Sequence, residues 1–157
     1  MKHICVTGLK KIAKLLSKGE VKKARDLALS LGLKPENFEL LGNAIKSLKN
    51  SFPNKAESWY IRASIRVLLG VKKISYRHWQ VKGLKMLGDA YPFYNVYLTK
   101  EGKYICDCYS RTYGYVRRAK ICTHVAAVII AKKVKAELRI TKYLNDFDDS
   151  FHQSSRP

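Results

Sequence analysis

Carboxylates are scarce in this sequence. Twelve Asp and Glu stand against 31 Lys and Arg, which gives a formal net charge of +19 over 157 residues. With so few acids no paired-carboxylate arrangement can be picked out, and no Ser-His-Asp set is visible, so the chain reads as non-enzymatic. Long apolar runs are missing too. The longest, Val125 to Ala131, is far too short to cross a bilayer. Met1-Lys2-His3-Ile4-Cys5 lacks the apolar stretch and small-residue cleavage site of a secretory leader. A phosphate-binding Gly-x-x-x-x-Gly-Lys loop is also lacking: Gly102-Lys103 is preceded by Tyr97 where the first Gly should stand. These absences suggest a cytoplasmic protein with no membrane and no small-molecule substrate.

Cysteine is sparse, at four residues, but three of them fall between positions 106 and 124. Cys106-Asp107-Cys108 is followed by Cys122-Thr123-His124. Three sulfurs and one imidazole complete a tetrahedral zinc shell and leave no position open for a substrate. In a reducing compartment clustered cysteines read as metal ligands before disulfides. A disulfide between Cys106 or Cys108 and Cys122 or Cys5 stays open as the alternative. Cys5 is otherwise read as a small buried residue. Iron suits the set less well, because neither the spacing nor the imidazole matches the common iron–sulfur patterns.

The cationic excess runs the whole length. Residues 1–77 carry +12 and residues 78–157 carry +7. Charge of this density implies a polyanionic partner and strongly salt-dependent binding.

The element pattern is α+β, with a helical N-terminal half followed by a ββα module. Residues 1–73 read as helical. Apolar residues at helical spacing define Gly8 to Ser17, Glu20 to Leu31, Pro35 to Leu48 and Lys55 to Leu69, with Gly and Pro breaks between them. On the first, Lys10, Lys11 and Lys14 lie opposite the apolar stripe. After Ser75 the period changes to two in Trp79 to Gly83, Phe93 to Thr99 and Tyr104 to Cys108. On a strand, Cys106 and Cys108 point the same way. Thr123 to Leu138 reads as a helix with an apolar face and with Lys132, Lys133 and Lys135 toward its end. The organisation is therefore a basic helical region at 1–75, a zinc module at 76–144 and a disordered tail at 145–157.

The module resembles the SWIM zinc-finger family, whose signature is Cys-x-Cys, a variable loop, then Cys-x-His. Trp79, Val81 and Gly83 match its Trp-x-Val-x-Gly stretch, Tyr94 and Val96 its Tyr-x-Val strand, and His124-Val125-Ala126-Ala127 its apolar helix. The match covers about residues 78–135. The family's residue between the last Cys and His is often Lys, and here it is Thr123. The resemblance implies a ββα zinc module used for DNA, RNA or protein contact.

In the loop, Tyr109, Tyr113 and Tyr115 interleave with Arg111, Arg117, Arg118 and Lys120, a pattern suited to stacking on bases and holding phosphates. The expected function is non-enzymatic binding of structured RNA, in its sharpest form rRNA in a ribosomal or ribosome-associated component beside neighbouring proteins. Two alternatives stand beside it: a DNA-binding accessory in recombination, transposition or transcription, and a protein-interaction adaptor.

Overall fold

The computed structural model describes residues 6–110 and 121–134. Among these are five α-helices and a four-stranded antiparallel sheet, an α+β arrangement. The helices are α1 (Val6–Ser17), α2 (Val21–Ser30), α3 (Phe38–Ser51), α4 (Glu57–Leu69) and α5 (Thr123–Val134). The strands are β1 (Val71–Ser75), β2 (His78–Lys82), β3 (Phe93–Leu98) and β4 (Tyr104–Cys106), and their order in the sheet is their order in the chain. Cys5, the segment from Arg111 to Lys120, Lys135, the expected run of the last helix to Leu138 and the tail at 145–157 lie outside the described residues.

Helix α1 follows directly from its pattern. Leu9, Ile12, Ala13 and Leu16 recur every three or four residues and are buried, while Lys10, Lys11 and Lys14 are exposed. Helix α3 begins at Phe38, three residues later than its proline suggested. Asn37 sits just before it at φ 60°, a left-handed conformation that a helix interior does not tolerate.

Helix α4 lies at the centre. Every residue from Ala63 to Leu69 is buried, including Ser64 and Arg66. Gly70, at φ 115°, ends the helix in a conformation that side chains disfavour. The chain then enters β1. Residues 71–73 thus form a strand, not the helical continuation the sequence suggested: Val71 pairs with Val81 and Lys72 with Gln80.

In the sheet, Trp79 faces Val96 and Val81 faces Tyr94 across the β2–β3 ladder. All four are buried on the face that α5 covers. Gly83, just beyond β2, donates its N–H to the Pro92 carbonyl at 2.8 Å. A Cβ at that position would come within 1.7 Å of the Tyr91 carbonyl oxygen. Only glycine lets the two backbones approach so closely.

Helix α5 is apolar nearly all round as far as Ala131, as a helix packed between two cores must be, and its exposed Lys132 and Lys133 come only in the last turn. Val125 and Val128 join the small core under the sheet with Trp79 and Tyr94. Ala126, Ala127, Ile130 and Val134 join the larger core built by α1 to α4. The helix that begins with the Cys-x-His pair is therefore the wall common to both cores.

Candidate metal centre

Cys106 is the last residue of β4, and Cys108 lies two residues on in a 3-10 turn, Asp107–Ser110. The strand expected to run to Cys108 stops early because Asp107 replaces a ladder partner. Its Oδ2 accepts the Asn95 backbone N–H at 2.9 Å and the Asn95 side-chain amide at 3.0 Å. The tight turn, rather than strand alternation, brings Cys108 back beside Cys106. Both are buried.

The other pair comes from the start of α5. Ile121 has φ 60°, unusual for a β-branched residue. Such a conformation costs on the order of 1–3 kcal/mol and persists only where the surroundings over-determine it. Here Trp59 donates its indole N–H to the Ile121 carbonyl at 3.2 Å. The bend leaves Cys122 at the helix cap, where its Sγ accepts the Val125 N–H at 3.5 Å. A thiolate is favoured there by the positive end of the helix.

The candidate ligand atoms of Cys106, Cys108, Cys122 and His124 all lie within 4.8 Å of one another. A tetrahedron with Zn–S bonds of about 2.3 Å has edges of about 3.8 Å. Closure around an ion therefore needs shifts of no more than about 1 Å. The three cysteines are free thiols.

His124 supplies the sharpest test of fit. Its Nε2 lies 3.1 Å from Asp89 Oδ1. An ionised carboxylate only accepts, so Nε2 carries the proton and Nδ1 is left with a bare lone pair. Nδ1 is buried and has no hydrogen-bond partner among the described residues. A buried orphan acceptor beside three thiols is the lone pair a metal would take. The Tyr94 ring stacks on the imidazole at 4.1 Å between centroids, which fixes its plane.

Asp89 is itself held on every side. Arg66 donates to Oδ2 at 2.5 Å and to Oδ1 at 3.1 Å, and the Leu84 N–H donates to Oδ2 at 2.8 Å. Burial opposes the charge, but the bonds from His124 and Arg66 hold the carboxyl well below the usual carboxylate range. Arg66 is 1% exposed and also donates its Nε to Thr123 Oγ1 at 2.9 Å. Thr123 is buried as well. A Lys at this position would set a second cation against Arg66. Threonine instead supplies an acceptor.

The thiols divide the charge unequally. Burial disfavours ionisation of Cys122, yet hydrogen bonds from Cys106 and Cys108 hold it well below the ordinary thiol range. Cys106 is pushed up by its bonds to Cys108 and Cys122 and by burial. A bound cation would displace the remaining thiol protons. Cys108, Cys122 and His124 line a cleft of about 840 Å³, which gives an ion a way in.

The other residues singled out in the sequence scatter. Lys10, Lys11 and Lys14 are exposed on α1. Lys132 lies over the Trp79 and Tyr104 rings and donates to the Tyr104 hydroxyl at 3.0 Å. Lys133 donates to Ser47 Oγ at 2.6 Å. Tyr109 is packed in the small core, where burial and then the neighbouring Cys122 push its hydroxyl pKa up. Arg111, Tyr113, Tyr115, Arg117, Arg118, Lys120 and Lys135 lie outside the described residues. Arg66 and Asp89, which orient the histidine, carry no local signal: 23 positions separate them. The one hint is that Asp89 is an acid in a chain with few.

No protein-family model, curated protein or solved structure matches the chain. No described helix is long and apolar enough to cross a membrane.

Proposed function

We propose that Cys106, Cys108, Cys122 and His124 hold a structural Zn²⁺, and that the protein is a non-enzymatic RNA-binding protein whose α5 is pinned to the sheet by that ion. The observation that carries the metal reading is the buried, unpartnered Nδ1 of His124 among three thiols. Four protein ligands would fill the tetrahedral shell, so the ion's contribution is to the fold and not to a reaction. The order β2, β3, β4, then α5 supports the SWIM-like reading.

The RNA reading rests on the net charge of +19 and on the exposed lysines of α1. Structured RNA, including rRNA in a ribosome-associated setting, is the polyanion it favours. The test is sedimentation of native lysate with and without RNase, followed by competition at fixed salt. The reading expects RNase-sensitive co-migration with a large particle and displacement by structured RNA before duplex DNA. Preference for duplex DNA would move the protein to a DNA-binding role in recombination, transposition or transcription. Association that survives both RNase and high salt would make it a protein adaptor.

A further inference from the structure

We infer that the outer face of the sheet is a stacking platform for an unpaired base of a single-stranded nucleic-acid segment, centred on Tyr97 and His78. The inference rests on the nucleic-acid reading above and adds the surface and the form of the ligand.

Helix α5 covers the face that carries Trp79, Val81, Tyr94 and Val96. By strand alternation His78, Gln80, Asn95, Tyr97 and Ile105 point the other way. The cross-strand register sets Ser75, His78, Tyr97 and Ile105 in one row. Tyr97 is 43% exposed and Ile105 48% exposed. Tyr97 and Ile105 give this row an exposed apolar surface beside the half-buried His78 ring.

The platform is already ordered. The His78 and Tyr97 rings are stacked, with centroids 4.3 Å apart and planes 18° apart. His78 Nε2 lies 2.7 Å from Asn95 Oδ1, and Gln80 donates to the same oxygen at 3.3 Å. Asn95 is anchored in turn by Asp107. Little side-chain freedom remains to be lost when a flat ligand lands on the rings.

The surrounding charge selects the ligand. Residues 71–88 include Lys72, Lys73, Arg77, Lys82 and Lys85 and no acid. The carboxylate of Asp107 is taken up by Asn95. In the β3–β4 turn, Glu101 is flanked in sequence by Lys100 and Lys103. Tyr76, at the β1–β2 turn, is 78% exposed with Lys73 and Arg77 against its ring. Rings for bases beside cations for phosphates are the two things single-stranded nucleic acid requires.

The experiment is fluorescence anisotropy of the zinc-loaded full chain with short labelled oligo(U), oligo(dT) and duplex RNA, alongside Tyr97→Ala, Tyr97→Phe and the triple variant Lys10→Ala, Lys11→Ala, Lys14→Ala. Loss of one stacked base should raise Kd for the single strand roughly 5- to 150-fold in Tyr97→Ala, and Tyr97→Phe should restore it. The lysine variant should lower the salt slope for all three ligands without abolishing the Tyr97 effect. The oligo(U) and oligo(dT) arms separate an RNA source from a DNA source. Single-strand binding that Tyr97→Ala leaves within about twofold overturns the platform while the nucleic-acid reading stands. Binding of the duplex alone does the same. If the wild-type chain binds none of the three and no structured RNA, the nucleic-acid reading fails and the platform fails with it. Should Tyr97→Ala misfold, ultraviolet crosslinking of 4-thiouridine oligomers to the wild-type chain decides. Adducts on the 93–98 peptide support the platform, and adducts confined elsewhere overturn it.

Discussion

Asp89 Oδ1 lies 3.1 Å from Nε2 of His124, and that contact decides which nitrogen of the ring faces the sulfur cluster. With Nε2 protonated against the carboxylate, Nδ1 alone is left for a metal. Carboxylate support of this kind also raises the basicity of a ligating imidazole. Arg66 holds the same carboxylate with two bonds, one to each oxygen. The central helix α4 is thus connected through two side chains to His124 at the head of α5.

Asp89→Asn should weaken zinc binding by about 10- to 100-fold, the usual loss when a ligand's outer partner is altered. Competition against a chromophoric chelator measures it. An unchanged affinity would mean that Asp89 does not orient His124.

The two roles of Asp89 can be separated. Asp89→Ala strands Arg66 as a buried, unpaired cation, and such losses run to about 3–5 kcal/mol. Adding Arg66→Met removes that charge and should recover a large part of the stability, read from urea midpoints. Zinc affinity should stay low in the double variant, because His124 still lacks its acceptor. Full recovery of both properties would contradict the assignment.

Cys108→Ala should release the metal and loosen the chain around it, since β4 and the turn after it have little core of their own. Hydrogen exchange should rise in residues 93–110 and 121–126 and change little in α1 and α2, which pack in the larger core. Loss of zinc with an unchanged melting transition would show that the ion is not structural.

Gly83→Ala should lower stability by about 1–3 kcal/mol, the range for forcing an extra carbon into a packed site. The carbon would meet backbone, the Tyr91 carbonyl at 1.7 Å, and not a side chain able to swing away. Thermal melting measures the loss, and a variant as stable as the parent would argue against this contact.

What the sequence made legible was local. Leu9, Ile12, Ala13 and Leu16 announce α1, and the Cys-x-Cys and Cys-x-His pairs announce the cluster. Gly83 stands out as a motif residue, although its reason, the Tyr91 backbone, appears only in three dimensions. Strand β1 was hidden because Val71-Lys72-Lys73-Ile74-Ser75 does not alternate and carries a register shift between Lys73 and Ser75. Periodicity puts Cys108 on a strand, because it cannot see Asp107 capturing the Asn95 amides. Arg66 was unreadable. Its neighbours in sequence are apolar, and its partners Asp89 and Thr123 arrive from two other parts of the chain.

The central claim is that three sulfurs and Nδ1 of His124 share one ion. Zinc K-edge absorption spectroscopy on the purified, metal-quantified chain tests it most directly. The account predicts one zinc per chain, with three sulfurs at about 2.3 Å and one nitrogen at about 2.0–2.1 Å. It also predicts loss of the nitrogen shell in His124→Ala. A chain that carries no stoichiometric metal, or whose Cys106 or Cys108 is found in a disulfide with Cys122, would contradict it.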